Sequence, residues 1–142
     1  MLKQKTISTN LSFKGFGLHT GAEVDLVIEP AEANHGIQFS RVDLDSHPIV
    51  SASVEYVTDT KRSTTIEKNG VKVVTVEHLL SALYALGVDN ALIKVNSEEL
   101  PILDGSAAPY VKALKQIDLI EQSASKSYIS LNKSITYKDD SG

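Results

Sequence analysis

The stretch from Thr75 to Gly87 constrains the fold most, because its apolar residues recur at the spacing of one helical face. Thr75 suits the N-cap of a helix, and Gly87 suits its C-terminal stop. The apolar stripe consists of Val76, Leu79, Leu80, Leu83 and Leu86. A stripe of this width predicts an amphipathic helix that covers a hydrophobic core.

His78 lies outside that stripe. At about 100° per residue it sits roughly 140° from the middle of the stripe, on a side shared with Ser81, Ala82 and Ala85. Glu77 precedes it, and from the first turn both side chains can reach the space beyond the helix end. The spacing therefore predicts a second helix face, made of small residues, that another surface could approach closely.

Most of the remaining chain has the alternation and β-branched content of strands. The predicted strands cover residues 4–14, 22–30, 37–42, 50–57, 63–67, 71–74 and 91–95. We expect the first two to form a hairpin, and Asn69-Gly70 predicts a second, tighter hairpin. A second helix is predicted over 107–117, with Ser106 as its N-cap. The pattern predicts an α+β fold: a two-layer sandwich with a mixed or antiparallel sheet and two helices on one face.

The composition changes after the second predicted helix. Residues 122–127 are polar and aperiodic, which is typical of a linker, and residues 128–137 again resemble a strand. We therefore predict a first domain over 1–121, a linker over 122–127, and the opening strand of a truncated second domain over 128–142.

Charge and residue usage exclude several classes of protein. A net charge of −4 with scattered basic residues predicts no nucleic-acid partner and no polybasic membrane patch. The absence of cysteine excludes disulfides and thiolate metal sites. No apolar run is long enough to span a bilayer, so we expect no transmembrane segment and a cytoplasmic location.

Glu77-His78 is the first candidate for chemistry. A neutral imidazole can bind a metal, and an adjacent carboxylate can act as a general base on water. Spacing alone favours an ordinary solvated pair at a helix start. His19 lies between Gly17 and Gly21, where glycines would let the backbone approach a ligand closely.

The segment Lys61 to Thr64 carries two basic side chains followed by two hydroxyls. Such a cluster at a strand start could meet an anionic substrate, and an exposed turn explains it equally well.

Three segments together resemble one known family. They are Gly17-Leu18-His19-Thr20-Gly21, the run from Thr75 to Leu83 with its continuation Gly87-Val88-Asp89-Asn90, and the run from Pro101 to Tyr110. In this order and spacing they resemble the zinc-dependent UDP-3-O-acyl-N-acetylglucosamine deacetylases of lipid A biosynthesis. The resemblance implies two similar α/β sandwich domains with the active site between them, a UDP-sugar lipid precursor as substrate, and a source among Gram-negative bacteria.

The resemblance also implies roles for particular residues. His78 matches a zinc ligand and Glu77 the general base. His19 would lie near the site, and Arg62, Ser63 and Thr64 would border the substrate, although many relatives have apolar residues or Cys in part of that segment. The remaining zinc ligands, a His and an Asp of an H-K-x-x-D motif, and a histidine general acid would belong to the second domain.

From this resemblance we expect the 142-residue chain alone to bind zinc weakly or not at all, to be inactive, and to self-associate through its uncovered face. The alternative is a non-catalytic binding or interaction domain of the same fold. A small-molecule kinase is disfavoured because no Gly-rich phosphate loop is followed by Lys and Ser/Thr.

Overall fold

The computed structural model of the chain describes residues 1–139, which form ten strands and two α-helices. In chain order these are β1 (Lys3–Ile7), β2 (Leu11–Phe16), β3 (Glu23–Pro30), β4 (Ile37–Arg41), β5 (Ile49–Ser51), β6 (Val57–Asp59), β7 (Thr65–Lys68), β8 (Val71–Val74), α1 (Glu77–Leu86), β9 (Ala91–Val95), α2 (Ala108–Leu114) and β10 (Leu119–Ser125). The strands belong to a five-stranded, a three-stranded and a two-stranded sheet.

The five-stranded sheet has the order β2-β3-β9-β4-β5. Strands β2 and β3 pair antiparallel with Phe13 opposite Leu26, which confirms the predicted hairpin. Strands β4 and β9 run parallel, so the sheet is mixed. Val24, Leu26 and Ile28 alternate along β3 and are all fully buried, because every second side chain of a strand faces the same layer.

The two helices complete the hydrophobic core. Helix α1 buries Leu79 and Leu83, helix α2 buries Tyr110 and Leu114, and the helices contact each other. The ring of Tyr110 packs against Phe13 of β2 with the ring centroids 4.8 Å apart. The predicted α+β fold with a mixed sheet and two helices is confirmed.

The turn between β7 and β8 also follows the prediction. Asn69 and Gly70 have φ angles of 52° and 79°. A two-residue hairpin turn of type I′ requires positive φ at both positions, and asparagine and glycine tolerate that conformation best. Strands β6, β7 and β8 thus form a separate antiparallel sheet.

Two strand predictions are wrong in detail. The predicted strand 4–14 is two strands, because the chain bends at 8–10, and β1 pairs with β10 whereas β2 pairs with β3. The predicted strand 50–57 is divided by a 3-10 turn at Val54–Tyr56 into β5 and β6, which belong to different sheets. Apolar alternation continues across both breaks, so periodicity does not reveal them.

The C-terminal part also departs from the prediction. Residues 122–125, predicted as linker, belong to β10, an exposed strand that pairs with β1 and whose Gln122 side chain donates to the carbonyl of Ala31. Residues 126–139 contain no strand, so the strand predicted over 128–137 is not formed among the described residues. A β-strand is stabilised by hydrogen bonds to a neighbouring strand, and no strand among the described residues pairs with this exposed segment. Residues 140–142 lie outside the described residues, and the division into domains stays a prediction.

Candidate active site

Glu77 and His78 begin α1 and are both half-buried. One carboxylate oxygen of Glu77, Oε2, accepts the backbone N–H of Thr64 at 3.0 Å. Within residues 1–139 the imidazole of His78 makes no hydrogen bond or ion pair, so its ring nitrogens remain available to a ligand. The pair therefore offers a fixed carboxylate beside an imidazole at the start of a helix.

Thr75 does not cap α1, contrary to the prediction. The N-cap is Val76, and Thr75 has a φ of 62°, in the left-handed region. That conformation costs a non-glycine residue about 1–2 kcal/mol and is a genuine outlier for a β-branched one. Its hydroxyl donates to Glu99 instead of to the helix. The predicted stop at Gly87 is confirmed, with a φ of 78°.

The face of α1 that carries His78 is less uniform than the spacing predicts. Ala82 belongs to the hydrophobic core and is 1% exposed, because α1 is covered on that side by the sheet and α2. Ser81 and Ala85 are exposed as expected, and the side chain of Tyr84 lies exposed between them. The exposed face is therefore a mixed surface that includes one large aromatic ring.

The segment 61–64 leads into β7 and passes the start of α1. The carbonyl of Thr64 accepts the N–H of Val76 at 3.4 Å, in addition to the bond from its N–H to Glu77. Arg62 has a φ of 65°, and it and Lys61 are exposed, whereas Ser63 and Thr64 are half-buried. The structure thus brings Thr64 into contact with Glu77 and places Arg62 and Ser63 on the same turn.

The loop from Gly17 to Gly21 closes on itself and meets the same region through its backbone. Gly21 N–H donates to the carbonyl of Gly17 at 3.0 Å. The side chain of His19 is exposed, and its N–H donates to the carboxylate of Glu99. Thr75, which leads into α1, donates to that same carboxylate. His19 is therefore connected to the start of α1 through one residue, Glu99.

Glu99 is the site residue that sequence reasoning missed. It is 0% exposed and accepts hydrogen bonds from His19, Thr20 and Thr75. Burial favours the neutral acid, but the hydrogen bonds from His19, Thr20 and Thr75 outweigh it, and the pKa of Glu99 is lowered below its usual range. In the sequence Glu99 is one acid of a Glu-Glu pair in a predicted loop, which gives no signal of burial.

The lowered pKa of Glu99 predicts a component of acid unfolding. A carboxyl whose pKa falls on folding adds stability above its ordinary pKa of about 4.3, and this stability is lost as pH falls through the folded-state pKa. We expect Glu99→Gln to remove that component, as measured by the denaturation midpoint between neutral pH and about pH 3. Glu98→Gln, at an exposed neighbour, should keep the wild-type pH dependence.

Asp43 also contributes to acid unfolding, because its hydrogen bonds from Arg41 lower its pKa. This contribution is the same in the wild type, Glu99→Gln and Glu98→Gln. The comparison with Glu98→Gln removes that shared background. Equal acid sensitivity of Glu99→Gln and wild type would contradict an ionised Glu99.

Among residues 1–139 no group of three or more His, Asp or Glu side chains could hold a metal ion. The donor set at the start of α1, one imidazole and one carboxylate, fits part of a zinc site by its chemistry. In the same part of the chain, no helix is long and apolar enough to cross a membrane.

A family model described as LpxC: UDP-3-O-acyl N-acetylglycosamine deacetylase matches residues 4–142. The chain belongs to this family. The match covers all three segments that carry the resemblance, and the family predicted from the sequence is confirmed.

Individual members of the LpxC family are also similar in sequence to this chain. The chain is 48% identical over 139 residues to a UDP-3-O-acyl-N-acetylglucosamine deacetylase of Legionella pneumophila (strain Corby), and 46% identical over 139 residues to that of Saccharophagus degradans. Each alignment covers 98% of the chain and 46% of the relative. A protein of Bacteroides thetaiotaomicron named bifunctional enzyme LpxC/FabZ is 48% identical over 141 residues, which is 99% of the chain and 31% of that protein. The chain thus spans less than half the length of these LpxC relatives.

Proposed function

We propose that the chain forms the first domain of a zinc-dependent deacetylase, which removes the N-acetyl group of UDP-3-O-acyl-N-acetylglucosamine in lipid A biosynthesis. The observation that supports this most is that two distant segments of the chain meet at the start of α1. The loop 17–21 and the segment 61–64 are both hydrogen-bonded, directly or through Glu99, to the start of the helix that carries Glu77 and His78. These residues come from distant parts of the sequence, and a solvated Glu-His pair would not require them to meet.

Glu77 is proposed as the general base and His78 as a zinc ligand. The bond from Thr64 N–H occupies Oε2 of Glu77 and fixes the carboxylate, which leaves Oε1 to receive a proton from the attacking water. When bound, zinc supplies Lewis acidity that polarises the amide carbonyl and makes water more acidic. Water adds to the carbonyl carbon, the C–N bond breaks, and the nitrogen takes up a proton, which yields acetate and a free amine.

His19, Arg62, Ser63 and Thr64 are proposed to contact the substrate. The exposed ring of His19 and the exposed guanidinium of Arg62 carry groups that suit the phosphates and hydroxyls of a nucleotide sugar. Ser63 and Thr64 are half-buried, and Thr64 already contacts Glu77. This arrangement favours a substrate that passes between the loop 17–21 and the segment 61–64.

The other zinc ligands and the general acid are proposed to come from a second domain of the same protein. The longer relatives leave room for such a domain. The uncovered face of α1, with Ser81, Tyr84 and Ala85, suits the surface against which that domain packs. The absence of cysteine is compatible with a reducing compartment, and lipid A biosynthesis is a process of Gram-negative bacteria. We therefore infer a cytoplasmic enzyme of a Gram-negative bacterium.

The full-length protein tests this function. Purified full-length protein should contain one zinc ion per chain and release acetate from UDP-3-O-acyl-N-acetylglucosamine, and His78→Ala should lose both properties. His35→Ala, at a half-buried loop histidine outside the proposed site, is the matched control and should retain both. Zinc-free, inactive wild-type protein would contradict the proposal and favour a non-catalytic binding domain of the same fold.

The isolated 142-residue chain gives a separate prediction. Because the start of α1 supplies one imidazole, and no group of three or more His, Asp or Glu side chains within residues 1–139 could hold a metal ion, we expect no stoichiometric zinc after dialysis and no deacetylase activity. Metal analysis and an acetate-release assay measure both. Sedimentation should show self-association, since Tyr84 on the uncovered face is 89% exposed. One tightly held zinc per isolated chain would contradict the shared-site arrangement.

A further inference from the structure

Glu99 is a fully buried carboxylate that no step of the proposed reaction uses. All the hydrogen bonds that its carboxylate accepts are donated by neutral groups: two backbone N–H groups and two threonine hydroxyls. None of its polar contacts within residues 1–139 is to a basic side chain. A buried charge is tolerated when several hydrogen-bond donors surround it. The segments that supply these donors are the parts of the chain that the carboxylate joins.

Two of the donating residues belong to the loop 17–21. The N–H of His19 lies 3.0 Å from Oε1 and 3.1 Å from Oε2 of Glu99, and the N–H and hydroxyl of Thr20 each lie 2.8 Å from Oε2. These bonds hold the backbone on which the His19 side chain is mounted. Gly17 faces the same carboxylate and has no side chain that would displace it.

The remaining donor belongs to the entry of α1. The hydroxyl of Thr75 lies 3.1 Å from Oε1 of Glu99, and its left-handed backbone turns the chain from β8 into the helix. The backbone around Glu99 is also fixed, because Val74 N–H donates to the carbonyl of Glu98 at 2.8 Å and Leu100 N–H donates to that of Val74 at 3.0 Å. The backbone that carries the Glu99 carboxylate is thus fixed by its own hydrogen bonds.

We propose that Glu99 is a positioning residue for the deacetylation reaction: its carboxylate sets the loop that carries His19 and the helix start that carries Glu77 and His78 in one fixed arrangement. This rests on the proposed function. Within residues 1–139 Glu99 makes no hydrogen bond to the side chain of His78 or to the ring of His19, so it acts through the backbone of His19 and through Thr20 and Thr75. An apolar side chain could fill the same volume, but it would not pair with donors from both segments at once.

Three substitutions in the full-length protein separate the two connections. Thr20→Ala removes a donor on the loop side and should mainly raise KM, because His19 is proposed to contact substrate. Thr75→Val keeps the shape of the side chain, removes the donor on the helix side, and should mainly lower kcat. Glu99→Gln keeps the shape, presents an N–H group to existing donors, and should change both, with kcat/KM lowered roughly tenfold to hundredfold.

Glu98→Gln is the matched control, since it removes one charge from the exposed neighbouring residue and should leave kcat and KM at wild-type values. All variants are compared at equal zinc content and below their unfolding temperatures. The proposal is overturned if Glu99→Gln lowers only the melting temperature while kcat and KM stay unchanged. If Glu99→Gln does not fold, Thr20→Ala and Thr75→Val test the proposal. It is overturned if Thr20→Ala does not mainly raise KM and Thr75→Val does not mainly lower kcat.

A spectroscopic measurement separates this proposal from the proposed function. In amide NMR spectra, Thr75→Val should shift the resonances of His19 and Thr20, because all three residues share the Glu99 carboxylate. Glu98→Gln should leave those two resonances in place. Shifted resonances in a protein without deacetylase activity would support the positioning role of Glu99 and reject only the proposed deacetylation. Unshifted resonances in an active enzyme would reject the connection and leave the reaction standing.

Discussion

Replacing Glu77 by glutamine in the full-length protein is expected to lower kcat for deacetylation by about 10²- to 10⁴-fold, the usual contribution of a general base. Glutamine keeps the shape of the side chain and can still accept the N–H of Thr64 through its carbonyl oxygen. It cannot take a proton from water. Zinc content should stay unchanged, since His78 is retained, and metal analysis beside steady-state kinetics measures both quantities.

The kinetic pattern distinguishes a base from a binding residue. Loss of a group that acts in the transition state lowers kcat and leaves KM near the wild-type value, whereas loss of a substrate contact raises KM. Glu98→Gln again serves as the control for removing one acidic side chain near the site. A loss of less than tenfold in kcat for Glu77→Gln would assign the base to another group.

The parts of the fold that the sequence predicted are those determined by neighbours along the chain. Helix α1 follows from a stripe within twelve residues, and the β7–β8 turn follows from Asn69-Gly70. The pairing of β1 with β10 could not be predicted, because it joins opposite ends of the described chain. The polar composition of 122–125 indicated a linker, although an exposed edge strand needs few apolar residues.

The candidate site likewise contains residues that local sequence indicates and one residue that it does not. Helix phase and the family resemblance both indicate Glu77 and His78, and both signals lie in the local sequence. Glu99 was missed because its partners His19 and Thr75 lie 80 and 24 residues away, and no periodic pattern connects them. Thr75 was misassigned as the N-cap because its preference for capping is real, but the buried carboxylate of Glu99 competes for its hydroxyl.

Gly17→Ala is expected to lower the free energy of unfolding by about 3 kcal/mol, the combined effect of overpacking and of weakened hydrogen bonds to a charged group. A Cβ at Gly17 would overlap the Oε2 atom of Glu99 and the hydroxyl of Thr20, and would lie 3.0 Å from Cδ of Glu99. The carboxylate cannot move aside cheaply, because its donors hold it and the residue is fully buried. Urea denaturation of the full-length protein measures the change.

Gly21→Ala in the same loop is the control for backbone strain. Gly21 has a φ of 63° and no atom within 4 Å of an added Cβ, so its substitution should cost only the left-handed penalty of about 1–2 kcal/mol. A double-mutant cycle then tests the cause at Gly17. If the overlap with the carboxylate dominates, Gly17→Ala should cost at least about 1.5 kcal/mol less in a Glu99→Ala background than in wild type. An unchanged cost would place the clash elsewhere in the loop, whereas a reduced cost would show that glycine is required at position 17 because Glu99 occupies the space beside it.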